Sequence, residues 1–158
     1  MAKAARIEEL DKHDKEILKI LQVNAKASLR DMAKQMELST TSIRLRIKNL
    51  QDKNIIKDYI ALIDCRQIGY KEMILASLRV NARRSLDSIK QKVEAMEEIK
   101  YAYIVTGEYP IFIMAKCLDH NDTVKLLERL RNLEGIEEIK TQIVLDRIKE
   151  DPTIIIPQ

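Results

Sequence analysis

The 158-residue sequence has no Trp, one Phe, two Cys, and only three Gly and three Pro. So little Gly and Pro leaves few places for long irregular loops. With 46% hydrophobic and 34% charged residues, the composition excludes a disordered chain and predicts dense regular structure. Cys65 and Cys117 stand apart, with neither a CxxC pair nor a set of His partners, which argues against a disulfide framework and a metal site. Both read as buried, inert thiols. No apolar run approaches the roughly 20 residues that span a bilayer, and no apolar stretch near the N-terminus resembles a signal peptide. No membrane partner is expected, and the expected compartment is cytoplasmic. The length suffices for two small domains, each with its own core.

What is present is uneven charge. Residues 1–60 carry 13 Lys and Arg against 9 Asp and Glu, net +4, whereas residues 61–158 carry 15 against 16, net −1. Only the first part is therefore expected to meet a polyanion.

In that part, Leu10, Ile17, Leu18 and Leu21 recur near the 3.6-residue period and predict a helix over 10–21. Ser28 with Asp31 three residues on predicts a capped second helix to residue 36, with Leu29, Met32, Ala33 and Met36 inward. Ser39 predicts the cap of a third helix that buries Ile43, Ile47 and Leu50 and leaves Thr40, Thr41, Arg44, Lys48 and Gln51 exposed. Two short helices about three residues apart make a helix-turn-helix. Ile55 and Ile56, then residues 59–63, read as a small wing and a connecting strand.

From residue 71 the pattern changes to strand 73–80, helix from Ser85 with Leu86, Ile89, Val93 and Met96 on one face, and strand 99–106. Gly107 breaks it. There follow strand 111–118, a helix capped by Asp119 or Asn121 with Val124, Leu127, Leu130 and Leu133 inward, and strand 136–145. This βαββαβ order predicts a ferredoxin-like antiparallel sheet with both helices on one face, so the fold class is α+β. Consecutive apolar residues at 111–114 predict burial of both sheet faces, with the second face covered by another subunit of a homodimer.

A helix placed in the major groove of double-stranded DNA presents donors to base edges from its first turns, while flanking cations and N–H groups hold phosphates. Thr40, Thr41 and Arg44 fit base contacts, Arg44 being able to pair with guanine O6 and N7. Ser39 belongs to the same docking end. Arg46, Lys48, Lys53 and Lys57 fit phosphates. Against this, Thr40 and Thr41 suit any helix start, and Arg46 could instead brace the first helix.

Leu10-Asp11 with Asp14, Ile17-Leu18, Leu21, Asn24-Ala25 and Ser28-Leu29 resemble the opening of the Lrp/AsnC family of prokaryotic regulators. Leu38-Ser39, Ile43, Arg46-Ile47 and Leu50 continue the likeness. In the second half Thr106-Gly107-Glu108-Tyr109, then Leu133, Gly135-Ile136, Thr141 and Ile143-Val144-Leu145, are similar to that family's effector domain. The resemblance implies sequence-specific DNA binding, dimers whose sheets pack together, assembly into tetramers or octamers, and regulation by an amino acid or related metabolite. The expected organisation is a DNA-binding domain at 1–54, a wing and linker strand at 55–70, an effector and oligomerisation domain at 71–150, and a tail at 151–158. The apolar tail residues 154–156 are expected to strap a neighbouring subunit.

The effector is then expected between subunits, at Gly107, Glu108, Tyr109 and Thr141. In the bland alternative Gly107 serves only the hairpin, Tyr109 only packs and Thr141 is an ordinary strand residue. Where the family turn often has Gly this chain has Glu37, which predicts against a left-handed backbone there. Asn54 is a more comfortable replacement for Gly. Pro110 stands where the family usually supplies an Asp carboxylate to the effector. Either Glu108 substitutes, or backbone groups alone hold the ligand, or the site is empty.

No cofactor and no catalytic residues are expected. A small ferredoxin-like enzyme is the rival class, but Arg83 and Arg84 lack a glycine-rich anion loop, and His13 and His120 lie far apart with no evident nucleophile. A second rival is an architectural DNA-binding protein without effector response.

Overall fold

The computed structural model describes residues 10–81 and 86–157; Arg83, Arg84 and Ser85 lie outside the described residues. The chain forms two compact units, residues 1–62 with 150–158, and residues 63–149.

The first unit is built on three capped helices, α1 (Lys12–Val23), α2 (Leu29–Gln35) and α3 (Thr40–Asp52). Asp11 Oδ1 accepts the Asp14 N–H at 2.9 Å, Ser28 Oγ accepts from Arg30 and Asp31, and Ser39 Oγ accepts the Ser42 N–H at 3.0 Å. Each cap satisfies helix-end donors that would otherwise go unpaired and contributes ~1 kcal/mol. Ile17, Leu18, Met32, Ala33, Met36, Ile43 and Leu50 form the core, with Leu10, Leu21, Leu29 and Ile47 packed around it. The α1 boundary lies two residues later than the periodicity placed it, because the Asp11 cap and not the first apolar residue sets the start.

Two connections take the left-handed conformation, one against expectation and one as Asn54 allowed. Glu37 adopts the left-handed conformation, φ 56°, although it is not glycine. This lets the Leu38 N–H reach the Ala33 carbonyl at 2.9 Å and close the end of α2. Leu38 packs on the core, and that burial offsets a left-handed strain of roughly 1–2 kcal/mol. Asn54 is left-handed as well, φ 55°, and here the Ile55 N–H returns to the Leu50 carbonyl at 2.9 Å.

Ile55 and Ile56 therefore clasp the end of α3 and pack on its core. They form no wing. Among the described residues no strand occurs before residue 72, so the expected connecting strand is absent. Ile60, Leu62 and Ile63 are exposed, with no neighbouring strand to share a ladder. The tail meets its own first unit, where the Ile154 N–H donates to Gln22 Oε1 at 2.7 Å and Ile156 packs against the three-helix core, while Ile155 stays exposed.

The second unit opens with a 3-10 turn, Cys65–Ile68, ended by left-handed Gly69. Then come β1 (Glu72–Val80), α4 (Leu86–Glu94), β2 (Ile99–Ile104), β3 (Ile111–Cys117), α5 (His120–Arg131) and β4 (Ile136–Ile143). The strands form one sheet in the order β2-β3-β1-β4, every pair antiparallel, as the ferredoxin-like arrangement requires. Ile74, Ala76 and Leu78 of β1 and Ile111, Ile113, Ala115 and Cys117 of β3 form the core with Ile89, Val93, Leu126, Leu130 and Leu133 of the helices. In α5 and just beyond it Leu130 and Leu133 turn inward and Leu127 packs on the core as expected, and only Val124 departs. Starting from its Asp119 cap, the helix turns Thr123, Leu126 and Leu130 inward and leaves Val124 40% exposed.

β3 alternates cleanly: residues 111, 113, 115 and 117 are buried and 112, 114 and 116 are half-buried. The continuous burial expected of residues 111–114 is absent from the single chain. The face away from the helices carries Leu75, Phe112 and Met114 beside Tyr101 and Tyr103, whose rings stack with centroids 6.2 Å apart.

Candidate nucleic-acid interface and effector site

α3 is oriented by the residues it buries. Ile43 and Leu50 lock one side into the core, so Thr41, Arg44 and Lys48 project away from it, whereas Thr40 falls on the Ile43 side and is exposed in the first turn. Thr40 and Thr41 follow the Ser39 cap, whose hydroxyl is engaged on the helix's own N–H. Lys53 is the C-cap residue and Lys57 is exposed in the segment beyond. The structure thus gathers seven of the expected contacts on α3 and its two ends.

Arg46 is the departure. Its Nη1 donates to Asp11 at 2.6 Å and to Asp14 at 2.7 Å, tying α3 to the start of α1. The bond to Asp14 raises the guanidinium pKa against the opposing effect of burial. Burial would raise the Asp11 carboxyl, but the Asp14 N–H and the Arg46 guanidinium outweigh it and hold Asp11 below its ordinary value. The residue expected at a phosphate is a brace inside the three-helix unit. Leu45, which sequence reasoning passed over, stands 58% exposed on the same side of α3 as Thr41; its spacing of four from Thr41 was the available signal.

The effector candidates cluster around the β2–β3 connection. Gly107 is left-handed, φ 112°, and a Cβ there would meet nothing within 4 Å, so backbone conformation and not crowding favours glycine. The Val105 N–H bonds the Pro110 carbonyl at 2.9 Å across the turn. Glu108 is engaged by Arg79 at 3.1 Å, and Arg79 also meets Glu138 at 2.8 Å and Glu137 at 3.6 Å. Burial lowers the Arg79 pKa, but the charge of Glu138 and the bond to Glu108 more than restore it. Lys140 Nζ lies 4.1 Å from the Tyr109 ring centroid, and its pKa is raised by the hydrogen bond to Tyr109.

Thr141 is not part of this group. It pairs with Ala76 on the helix side of the sheet, whereas Lys140 pairs with Ser77 on the open side. Arg79, Glu138 and Lys140 were missed in the sequence because cross-strand register, not local spacing, brings them to the hairpin.

Among the described residues no group of three His, Cys, Asp or Glu is placed to hold a metal ion. His120 Nδ1 faces Glu72 Oε1 at 3.3 Å. Among the same residues no helix is long and apolar enough to cross a membrane.

Comparison with known proteins matches two successive family domains. Residues 10–51 match the AsnC-type helix-turn-helix domain and residues 73–154 the Lrp/AsnC ligand binding domain. The HTH-type transcriptional regulator FL11 of Pyrococcus horikoshii is 30% identical over 89% of this chain and 93% of its own length. Escherichia coli AsnC superposes with a TM-score of 0.85 at 26% identity, covering 94% of this chain and 99% of that one. A transcriptional regulator of Neisseria meningitidis, solved as a complex with L-Met, superposes at 0.86 with 23% identity, covering 92% and 96%. These relatives are transcription regulators, not enzymes. The chain belongs to the Lrp/AsnC family and is a transcription regulator of that type with a ligand-binding domain.

Proposed function

We propose that the protein is a sequence-specific regulator that binds double-stranded DNA as a homodimer or higher oligomer and responds to an amino acid held between subunits. The observation that carries the DNA reading is the exposed stripe of α3, with Thr41, Arg44 and Lys48 opposite a side fixed in the core. On this reading Thr40, Thr41 and Arg44 meet base edges near the capped end at Ser39, and Lys48, Lys53 and Lys57 meet phosphates. Arg46 holds the helix. Two copies in a dimer would read half-sites about one helical turn apart, ~34 Å, or a multiple of it.

An amino-acid effector is supported by the match to the ligand-binding domain and by the L-Met complex of the Neisseria neighbour. Gly107, Glu108 and Tyr109, with Arg79 and Lys140 beside them, offer both charge signs to an amino acid. Thr141, on the other sheet face, is left out of this set. The effector acts only through unequal affinity for two states of the oligomer.

The test has two arms. Selection from random duplex DNA should enrich a pseudo-palindrome; no enrichment would favour architectural binding. Calorimetric titration of the full chain with the standard amino acids should give heat with at least one, and none with any would remove the amino-acid effector.

A further inference from the structure

Leu45 is the apolar residue of α3 that the fold does not use. It is 58% exposed and stands apart from the residues packed on the three-helix core, to which α3 contributes Ile43, Ile47 and Leu50. At ~100° per residue, Leu45 lies about 40° from Thr41 and about 60° from Lys48 around the helix axis. It is also nearly opposite Ile43 and Leu50. The side chain therefore sits near the middle of the outward face, beside the stripe of polar groups assigned to DNA, all of which lie to one side of it, and in the second turn from the capped end.

A scattered surface leucine needs no explanation. This one is on the face that must lose water if α3 enters a groove, where a polar side chain would be expected to accompany Thr41, Arg44 and Lys48. Apolar groups in a major groove have one complementary partner among the base edges, the C5-methyl of thymine. The neighbours reinforce that choice. Arg44 is suited to guanine O6 and N7, and Leu45 adjoins it with a branched apolar end of the right character for the methyl of a nearby pair.

We propose that Leu45 is a specificity-determining residue that reads the methyl group of a thymine in each half-site. The inference rests on the DNA reading given above and adds to it a named base and a named atom.

The experiment uses the full chain and a duplex enriched by it from random DNA. Each thymine is replaced in turn by deoxyuridine, which removes the methyl and keeps pairing and the O4 acceptor. At one thymine per half-site the wild-type chain should lose affinity about three- to fivefold, the effect of one buried methyl. Leu45→Ala should bind the thymine duplex correspondingly less tightly and show no further loss with deoxyuridine at that position. Leu45→Met should retain part of the discrimination, and because the residue is exposed both variants should melt as the wild type does.

A selected half-site without thymine overturns the proposal. So does wild-type binding that is indifferent to every deoxyuridine, or a Leu45→Ala chain that discriminates as the wild type does. In those cases the DNA reading survives. If no duplex is enriched at all, the reading and the proposal fall together.

Discussion

The Arg46 guanidinium of α3 donates to the Asp14 carboxylate of α1 across 2.7 Å, and the same nitrogen reaches Asp11 at 2.6 Å. The Asp14 side chain is 17% exposed and that of Arg46 26%, so the pair is screened less than a surface ion pair. Arg46→Met should destabilise the first unit by ~1–2 kcal/mol, chiefly because Asp14 loses its partner while staying half-buried. Thermal melting followed by circular dichroism checks this. The pH dependence has a defined sign. Asp11 has a pKa held below its ordinary 3.8, so its contribution is complete above that value and disappears as pH falls through the depressed one. The stability difference between wild type and Arg46→Met should therefore shrink only at pH below about 4.

Glu37 offers a test of opposite direction. Its φ of 56° strains an L side chain, and Glu37→Gly removes that strain while giving the unfolded chain more freedom to lose. The expected balance is a gain of ~0.5–1 kcal/mol, read as a higher melting temperature. A variant that melts lower would mean that the Glu37 side chain supports the turn.

These two residues also mark what could be read from the sequence. Helix starts were legible because Asp119, Ser28 and Ser39 act on N–H groups two or three residues away. Strand order followed from periodicity and breaks. The left-handed Glu37 was not legible, since the need for it comes from Leu38 reaching the core. For Arg46 the sequence left phosphate contact and a brace on the first helix both open; the brace is what forms, with partners 32 and 35 residues distant. Such separation hid the Arg79 cluster, assembled from β1, β4 and the Gly107 hairpin. Ile55 and Ile56 look like strand residues, yet tertiary burial against α3 overrode that preference.

Arg44 and Lys48 should separate base reading from charge neutralisation. Arg44→Ala is expected to cost ~1–3 kcal/mol on the preferred site and to relax choice at one base pair. Lys48→Ala should weaken all duplexes alike and reduce the slope of log affinity against log salt by ~0.9. Binding assays on selected and scrambled duplexes over a salt series measure both. Wild-type affinity and selectivity in the two variants would show that another face of the unit docks.

The tail gives a third stability test. Ending the chain after Asp151 removes the Ile154 bond to Gln22 and the packing of Ile156 on the three-helix core. A loss of ~1–2 kcal/mol is expected from one hydrogen bond and part of one isoleucine. Urea titration of the shortened chain reads the change, and unaltered stability would mean that the docked tail contributes nothing net.

The open sheet face leads to the last expectation. Leu75, Phe112 and Met114 stand there with the stacked Tyr101 and Tyr103, while both helices cover the opposite face. A stable dimer buries ~800 Å² from each partner, and this is the apolar surface that the proposed subunit contact would use. Phe112→Asp places a carboxylate in the middle of it. Within the single chain the half-buried position can keep a carboxylate wet, so the fold should persist with native circular dichroism. Between two sheets the same carboxylate would be stripped of water, a cost of several kcal/mol counted twice in a symmetric dimer. Sedimentation at micromolar concentration should therefore show the wild type as a dimer or a multiple of it, and Phe112→Asp as a folded monomer. A wild-type chain that sediments as a monomer would overturn the subunit contact, and with it the fixed spacing of two α3 helices on DNA.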